Sequence, residues 1–126
     1  MHTSEKPKLI LIAGPYRSGS GDDPAKMAAN LHNLEQAAWP LFQAGHIPMI
    51  GEWVALPVLS SAGATDGPLD PLAAEVMYPT AHRLLQHADA VLRLPGESAG
   101  ADQDVEIARE RGIPVYHALE EVPGVH

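Results

Sequence analysis

Four short apolar segments alternate with segments of helical spacing along this chain, and this alternation limits the possible folds more than any other feature. The apolar segments are residues 8–14, 46–51, 89–94 and 113–116. Strands separated by helices of this length form right-handed βαβ units with parallel neighbouring strands. The sequence therefore predicts one α/β domain over residues 1–126, a three-layer, Rossmann- or flavodoxin-like sandwich with a mainly parallel sheet of four to five strands.

Helix signals fill the first interval between predicted strands. An Asp-Pro pair at 23–24 has the form of an N-cap followed by a first-turn proline. Apolar residues at helical spacing follow over 27–42, and they predict one helix with a kink at Pro40 and an end at Gly45. In the strand after it, Pro48 favours an edge position because proline cannot donate a hydrogen bond to a neighbouring strand.

The second half of the chain repeats these signals. Another Asp-Pro pair begins a predicted helix over about 70–86, with a kink or break at Pro79. Residues 101–111 are predicted to be helical and to end at Gly112. The segment 52–69 has no clear helical or strand pattern and is predicted to be irregular.

Charge and composition exclude several classes of function. A formal net charge of −8 over 126 residues opposes binding to a nucleic-acid polymer, although a few local donors can still bind a small anion. The chain has no cysteine, and its seven histidines form no tight ligand set, with His82 and His87 only a weak pair. We therefore expect no metal and no cofactor. Without an apolar membrane span or a signal-peptide core, we expect no membrane association and a cytoplasmic location.

A glycine-containing loop follows the first predicted strand. Gly14 and Gly19 match the ends of a P-loop, but residues 20–21 are Ser-Gly where the motif needs Lys-Ser/Thr. The loop is therefore not an ATPase loop, and it lacks the GxGxxG spacing of a dinucleotide fold. It still offers backbone amides, Arg17, Ser18 and Ser20 near a helix start as donors to a monophosphate. The alternative is a simple connection whose glycines only form turns.

Carboxylates and a second glycine turn follow the other predicted strands. Ser98 and Gly100 precede a helix on which Asp102 and Glu106 share one face, with Asp104 rotated away from both. Acids in a first helical turn often serve only the helix dipole. After the second strand, the Gly-Glu-Trp sequence at 51–53 places a carboxylate beside an indole.

Residues 51–53 also have two interpretations. Glu52 can bind a sugar hydroxyl, and Trp53 can stack on a base or belong equally to the core or an interface. Ligands of open α/β sheets bind beyond the carboxyl ends of the strands, at the switch point in strand order. We therefore predict that the first and third strands are central neighbours, with Arg17 and Ser98 at the same edge of the sheet.

Three segments resemble the nucleoside 2-deoxyribosyltransferase superfamily, which includes the deoxynucleoside 5′-monophosphate N-glycosidases and small bacterial and phage relatives. They are LIAGPYR at 11–17, HADAVLRL at 87–94 and SAGADQDVEIARERGIPVY at 98–116. The resemblance covers most of the chain and implies a nucleoside or nucleotide as ligand, held by the first loop and the Ser-x-Gly turn. Trp53 is included because its indole can stack on a base, and the expected substrate-binding residues are Gly14, Tyr16, Arg17, Ser18, Trp53, Asp89, Ser98, Gly100 and Asp102.

The same resemblance assigns the chemistry, and the chain departs from the family there. The family nucleophile is a glutamate six residues after the serine of the turn, which is Asp104 in this chain. Its carboxylate is one methylene shorter, and a displacement of about 1 Å can cost on the order of 100-fold in rate. A second family acid falls on Ala81, so we expect Glu52 or the adjacent His82 to transfer the proton.

The resemblance thus implies an enzyme of the deoxyribosyltransferase or N-glycosidase class with a carboxylate nucleophile. The altered acids favour an alternative, a non-catalytic module that binds a nucleotide or nucleotide sugar. A third reading, an oligomerisation partner, rests only on the apolar segment at 53–59. A homodimer or larger homo-oligomer is expected from the resemblance and from the apolar residues Trp53, Val54, Leu56, Val58 and Leu59.

Overall fold

The computed structural model describes residues 6–125, and its centre is a four-stranded parallel sheet. The strand order is β2-β1-β3-β4. The first and third strands of the chain are therefore central neighbours, as predicted, and the strand that contains Pro48 lies at an edge. The strands are β1 (Leu9–Ala13), β2 (Ile47–Ile50), β3 (Ala90–Arg93) and β4 (Val115–Tyr116).

Helices cover both faces of this sheet. Within the described residues they are α1 (Pro24–Glu35), α2 (Ala38–Gln43), α3 (Gly51–Ser61), α4 (Ala73–Leu85) and α5 (Ala99–Arg111). Side chains alternate across a strand, so Ile10 and Ile12 pack against α1 and α2 while Leu11 and Ala13 pack against α4 and α5. The predicted three-layer α/β fold is confirmed.

Side-chain caps fix the starts of the two helices that follow the central strands. The Asp23 carboxylate accepts the N–H of Ala25 at 2.9 Å, and the Ser98 hydroxyl accepts the N–H of Ala101 at 3.1 Å. Each cap satisfies a backbone donor that the first helical turn leaves without a partner. At the other end of α5, Gly112 adopts a φ of 74°, the left-handed conformation expected of a C-terminal glycine.

The prediction that residues 52–69 are irregular is wrong for the first part of that segment, because α3 begins directly at the end of β2. Pro57 lies inside this helix and removes a backbone hydrogen bond, which is why the pattern did not indicate a helix. Ala55 and Leu59, four residues apart, are both 1% exposed. Their burial, together with the packing of α3 on α4, stabilises the helix despite the proline.

Two other predicted helices differ from the observed ones in their boundaries. The single helix predicted to run from Pro24 past Pro40 is two helices, and Pro40 lies in the first turn of α2, where the missing N–H is tolerated. The helix predicted from Asp70 begins at Ala73 and continues through Pro79. Asp70 instead holds the preceding turn, where its carboxylate accepts the backbone N–H groups of Thr65 and Leu72.

The loops after β1 and β3 pack directly against each other. A Cβ atom on Gly96 would lie 2.6 Å from Cγ of Pro15, and Gly96 has a φ of 119°, which other residues rarely adopt. The backbone N–H of Leu94 also donates to the carbonyl of Ala13 at 2.8 Å. Both loops are therefore held together above the centre of the sheet, where the candidate site lies.

Candidate functional site

A cavity opens beyond the carboxyl ends of the strands, and it has two adjoining parts. We call the deeper part the inner chamber; it is lined by residues that include Gly14, Glu52, Ala81 and Asp104. The outer chamber, of about 290 Å³, is lined by Tyr16, Arg17, Ser18, Pro68, Ala73 and Ala74. Both chambers share Glu52, Met77, Tyr78, Ser98 and Gly100 as lining residues.

The cavity brings together most of the site residues expected from the sequence. Arg17 from the β1–α1 loop and Ser98 from the start of α5 line the same outer chamber, so they lie at one edge of the sheet as predicted. The expected residues that line either chamber are Gly14, Tyr16, Arg17, Ser18, Glu52, Ser98, Gly100 and Asp104.

Asp104 lies on the side of α5 that faces the inner chamber, six residues after the capping serine. Its side chain is largely removed from solvent, and this burial is the main reason why the pKa of the carboxyl is raised from 3.8 to about 7. The negative charge of Glu52 adds to that shift, while the positive charge of Arg93 opposes it. Asp104 therefore titrates near neutral pH, as a group with a chemical role often does.

Glu52 supplies the second carboxylate of the inner chamber, from the first turn of α3. Burial raises the pKa of its carboxyl above the ordinary value of 4.5. The charge of Glu52 also contributes to the raised pKa of Asp104. The raised pKa values favour the protonated form of both carboxyls more than in exposed side chains, so either can hold a proton to donate, and either can act as a nucleophile or base once it is ionised.

Ala81 lies on α4 and lines the same inner chamber. This is the position to which the family resemblance assigns a second acid. The alanine leaves that position without a carboxyl, and Glu52 brings one into the chamber from a different helix. The sequence offered Glu52 and His82 as alternatives for proton transfer, and of these Glu52 lines the cavity.

The lining of the outer chamber includes the phenol of Tyr16 and the guanidinium of Arg17. Burial, and then the charge of Glu52, raises the pKa of the Tyr16 phenol. The Arg17 Nε donates to Oδ1 of Asp22 at 2.9 Å, and its Nη1 donates to the carbonyl of Pro68 at 3.3 Å. This second contact links the β1–α1 loop to the segment that precedes α4.

Asp102 and Asp89, expected at the site, have other partners. The Asp102 carboxylate accepts from Nη2 of Arg93 at 2.9 Å and is turned away from Asp104 around the helix, as its spacing predicted. Asp89 lies at the amino-terminal edge of β3, where its carboxylate accepts the backbone N–H of Leu9 at 2.8 Å. Neither side chain lines the inner or outer chamber.

His82 and Trp53 also lie outside the two chambers. The His82 Nε2 is 3.2 Å from Oε1 of Gln103, which places the imidazole between α4 and α5. The Trp53 indole donates from Nε1 to Oε2 of Glu35 at 2.8 Å, toward the end of α1. The structure thus separates Trp53 from its neighbour Glu52, because successive helical residues point in different directions.

Helix α4 contributes a wall of the cavity that was not predicted from the sequence. Ala73, Met77 and Ala81 recur every four residues along this helix and form an apolar stripe facing the cavity. Tyr78 lies beside the stripe, and a Cβ atom on Gly100 would be 3.5 Å from Cε1 of its ring. The spacing of these residues was a usable signal, but an apolar stripe on a helix indicates a core more often than a site.

No protein-family model matches this chain, and no curated protein is similar to it in sequence. Across residues 6–125, none of the helices is both long and apolar enough to cross a membrane. The same residues contain no group of three or more histidine, aspartate or glutamate side chains arranged to hold a metal ion.

Proposed function

We propose that this protein cleaves the N-glycosidic bond of a nucleoside or nucleotide, in a reaction of the deoxyribosyltransferase or N-glycosidase class. One observation carries the proposal: Asp104 and Glu52, two carboxyls with raised pKa values, line one chamber at the carboxyl edge of the sheet. The cleavage of glycosidic bonds commonly uses such a pair, one as nucleophile and one as acid. The family resemblance supports the same assignment for Asp104.

In the proposed reaction, an Oδ atom of Asp104 attacks C1′ of the sugar. A bond forms between this oxygen and C1′ while the C1′–N bond breaks and its electron pair passes to the base. Glu52 gives its proton to the departing base, so the base leaves neutral. Water, or the nitrogen of a second base, then attacks C1′ and displaces the Asp104 carboxylate, and Glu52 accepts a proton from the attacking group.

The surroundings of the pair suit this chemistry. The transition state is oxocarbenium-like, and a carboxylate close to C1′ stabilises its positive charge, more strongly where water is excluded. Met77 and Tyr78 give the outer chamber apolar and aromatic surface against which a base can pack. Arg17 and Ser18, at the same chamber, are donors for sugar or phosphate oxygens.

Incubation with a panel of nucleosides and 5′-monophosphates, followed by chromatography for free base, tests the proposal. We expect base release that declines as pH falls below about 7, because Asp104 then holds a proton and cannot attack C1′. Tight binding of a nucleotide with no release from any compound would instead favour the non-catalytic binding module.

We also propose that the chain forms a homodimer. Trp39 and Phe42 of α2 are more than 60% exposed and stack with ring centroids 5.9 Å apart, and Val54 and Val58 are exposed on α3. Apolar side chains this large usually mark a contact surface. Leu59, which was also expected there, is buried in the core. Light scattering at micromolar concentration is expected to give twice the chain mass, whereas a monomer would contradict the proposal.

A further inference from the structure

The charge of the cavity distinguishes among its possible ligands. Arg17 is the only basic residue among those that line the inner and outer chambers within residues 6–125. The acidic residues of the same lining are Glu52 and Asp104. A ligand phosphate in this cavity would therefore depend on Arg17 for its counter-charge, and it would meet the repulsion of the carboxylates.

The guanidinium of Arg17 already has partners within the chain. Its Nε donates to the Asp22 carboxylate and its Nη1 to the carbonyl of Pro68. The contact with Asp22 raises the pKa of Arg17 and lowers that of Asp22, because each charge stabilises the other. An exposed ion pair of this kind adds little to fold stability, so its main consequence is for the charge that a ligand meets.

Asp22 is held in this position by the loop and does not meet Arg17 by chance. It is a non-glycine residue with a φ of 62°, in the left-handed region. Its backbone N–H donates to Oγ of Ser20 at 3.2 Å, and that hydroxyl donates to the carbonyl of Arg17 at 2.6 Å. Because Ser20 is 1% exposed, this turn is anchored in the protein and directs the carboxylate toward the guanidinium.

The start of α1 is occupied in the same way. The Asp23 carboxylate accepts the N–H of Ala25, one of the donors that a helix N-terminus would offer to a phosphate. Two consecutive aspartates, Asp22 and Asp23, thus take the guanidinium and a helix-terminal amide that could otherwise bind an anion. The strand–loop–helix segment has the form of a phosphate site, and its own carboxylates fill it.

We propose that Asp22 is a specificity-determining residue that occupies Arg17 in place of a ligand phosphate, so that the site prefers an uncharged nucleoside to the corresponding 5′-monophosphate. This inference rests on the proposed function for the identity of the ligand. Asp22 acts through Arg17 and takes no part in the bond-breaking step. Its role predicts that a monophosphate gains affinity when the carboxylate is removed.

Paired variants test this role by equilibrium binding. Asp22→Asn removes the charge, and asparagine tolerates the left-handed conformation better than most residues, so the loop should keep its shape. Asp23→Asn is the matched control, because it removes one negative charge from the same loop while asparagine still caps the helix. Both are made in an Asp104→Asn background, so that no ligand is consumed. The ligands are the common 2′-deoxynucleosides and their 5′-monophosphates, measured by titration calorimetry.

The Asp104→Asn parent is expected to bind a nucleoside more tightly than its monophosphate. Asp22→Asn should tighten monophosphate binding by about tenfold or more, and Asp23→Asn by less than about threefold. The inference would be overturned if the parent preferred the monophosphate, or if the two variants had equal effects on monophosphate binding. It would also be overturned if neither variant bound the ligands. Base release is measured separately on protein that retains Asp104, and no base release would contradict the proposed function. The ratios of the binding constants alone decide the role of Asp22.

Discussion

Asp104→Asn is expected to lower base release by on the order of 10³-fold or more while nucleoside binding stays within a few-fold of wild type. The amide has nearly the shape of the carboxylate but cannot form the bond to C1′, so the loss falls on kcat and not on binding. Initial rates measured by chromatography and Kd values measured by calorimetry on the same preparations check both parts of this prediction.

Asp102→Asn is the matched control for that experiment. It removes an acid from the same helix, two residues away, but this carboxylate is mostly exposed and paired with Arg93. We expect its effect on base release to be within about threefold, because a first-turn acid contributes only about 0.3–1 kcal/mol through the helix dipole. If Asp102 or Glu106 proved essential and Asp104 dispensable, the assignment of the nucleophile would be wrong.

Asp104→Asn is also expected to stabilise the protein at alkaline pH. The folded-state pKa of Asp104 is about 7 and its ordinary value is 3.8, so the folded state binds the proton more tightly than the unfolded state does. Stability from this group is fully present below pH 3.8 and is lost as pH rises toward 7. The difference between the two pKa values corresponds to at most about 4 kcal/mol in the free energy of unfolding, and partial solvent contact of the carboxyl reduces this to about 1–2 kcal/mol.

Thermal unfolding at two pH values measures this effect. Relative to wild type, Asp104→Asn should raise Tm by about 3 °C or more at pH 8 and by much less at pH 4, where the wild-type carboxyl is protonated. Asp102→Asn, which loses the ion pair with Arg93, should not raise Tm at either pH. A lower Tm for Asp104→Asn at pH 8 would show that the ionised carboxylate is stabilised in the folded state, contrary to the burial described above.

The fold could be predicted from the sequence because each signal had a local physical cause. Strand segments such as 8–14 are short apolar runs, and Asp23, Ser98 and Gly112 mark helix ends through hydrogen bonds and backbone conformation. The central, neighbouring positions of the first and third strands followed from the two ligand-type loops, which had to meet at one edge. The prediction failed for α3, since Pro57 obscures a helix whose stability comes from tertiary packing of Ala55 and Leu59. It also misplaced the helix boundaries near Pro40 and Asp70.

The site could be predicted in part, for a similar reason. Arg17 and Ser98 adjoin the carboxyl ends of the central strands, so their positions followed from the topology, whereas Asp104, on α5, was expected through the family resemblance. The directions in which side chains point on neighbouring helices could not be predicted from the topology. His82 and Trp53 turn away from the cavity because packing between helices sets their orientation.

The partners of other acids were equally hidden from the sequence. Asp89 bonds the backbone of β1, and Asp22 pairs with Arg17, through contacts that only the folded chain brings together. Met77 and Tyr78 were missed because nothing in the sequence distinguishes an apolar stripe that lines a cavity from one that fills a core. Residue spacing within one helix or strand therefore predicted structure, whereas contacts between helices and strands could not be predicted from the sequence.

The central claim, that Asp104 attacks the sugar, is tested most directly by trapping the covalent intermediate. A 2′-fluorinated nucleoside slows the breakdown of a glycosyl-enzyme, and acid quenching followed by intact-mass and peptide mass spectrometry locates the adduct. The predicted result is a mass increase equal to one fluorinated sugar, carried by the peptide that contains Asp104 and absent in Asp104→Asn. Attachment of the sugar to a different residue, or release of base with no adduct, would contradict the account.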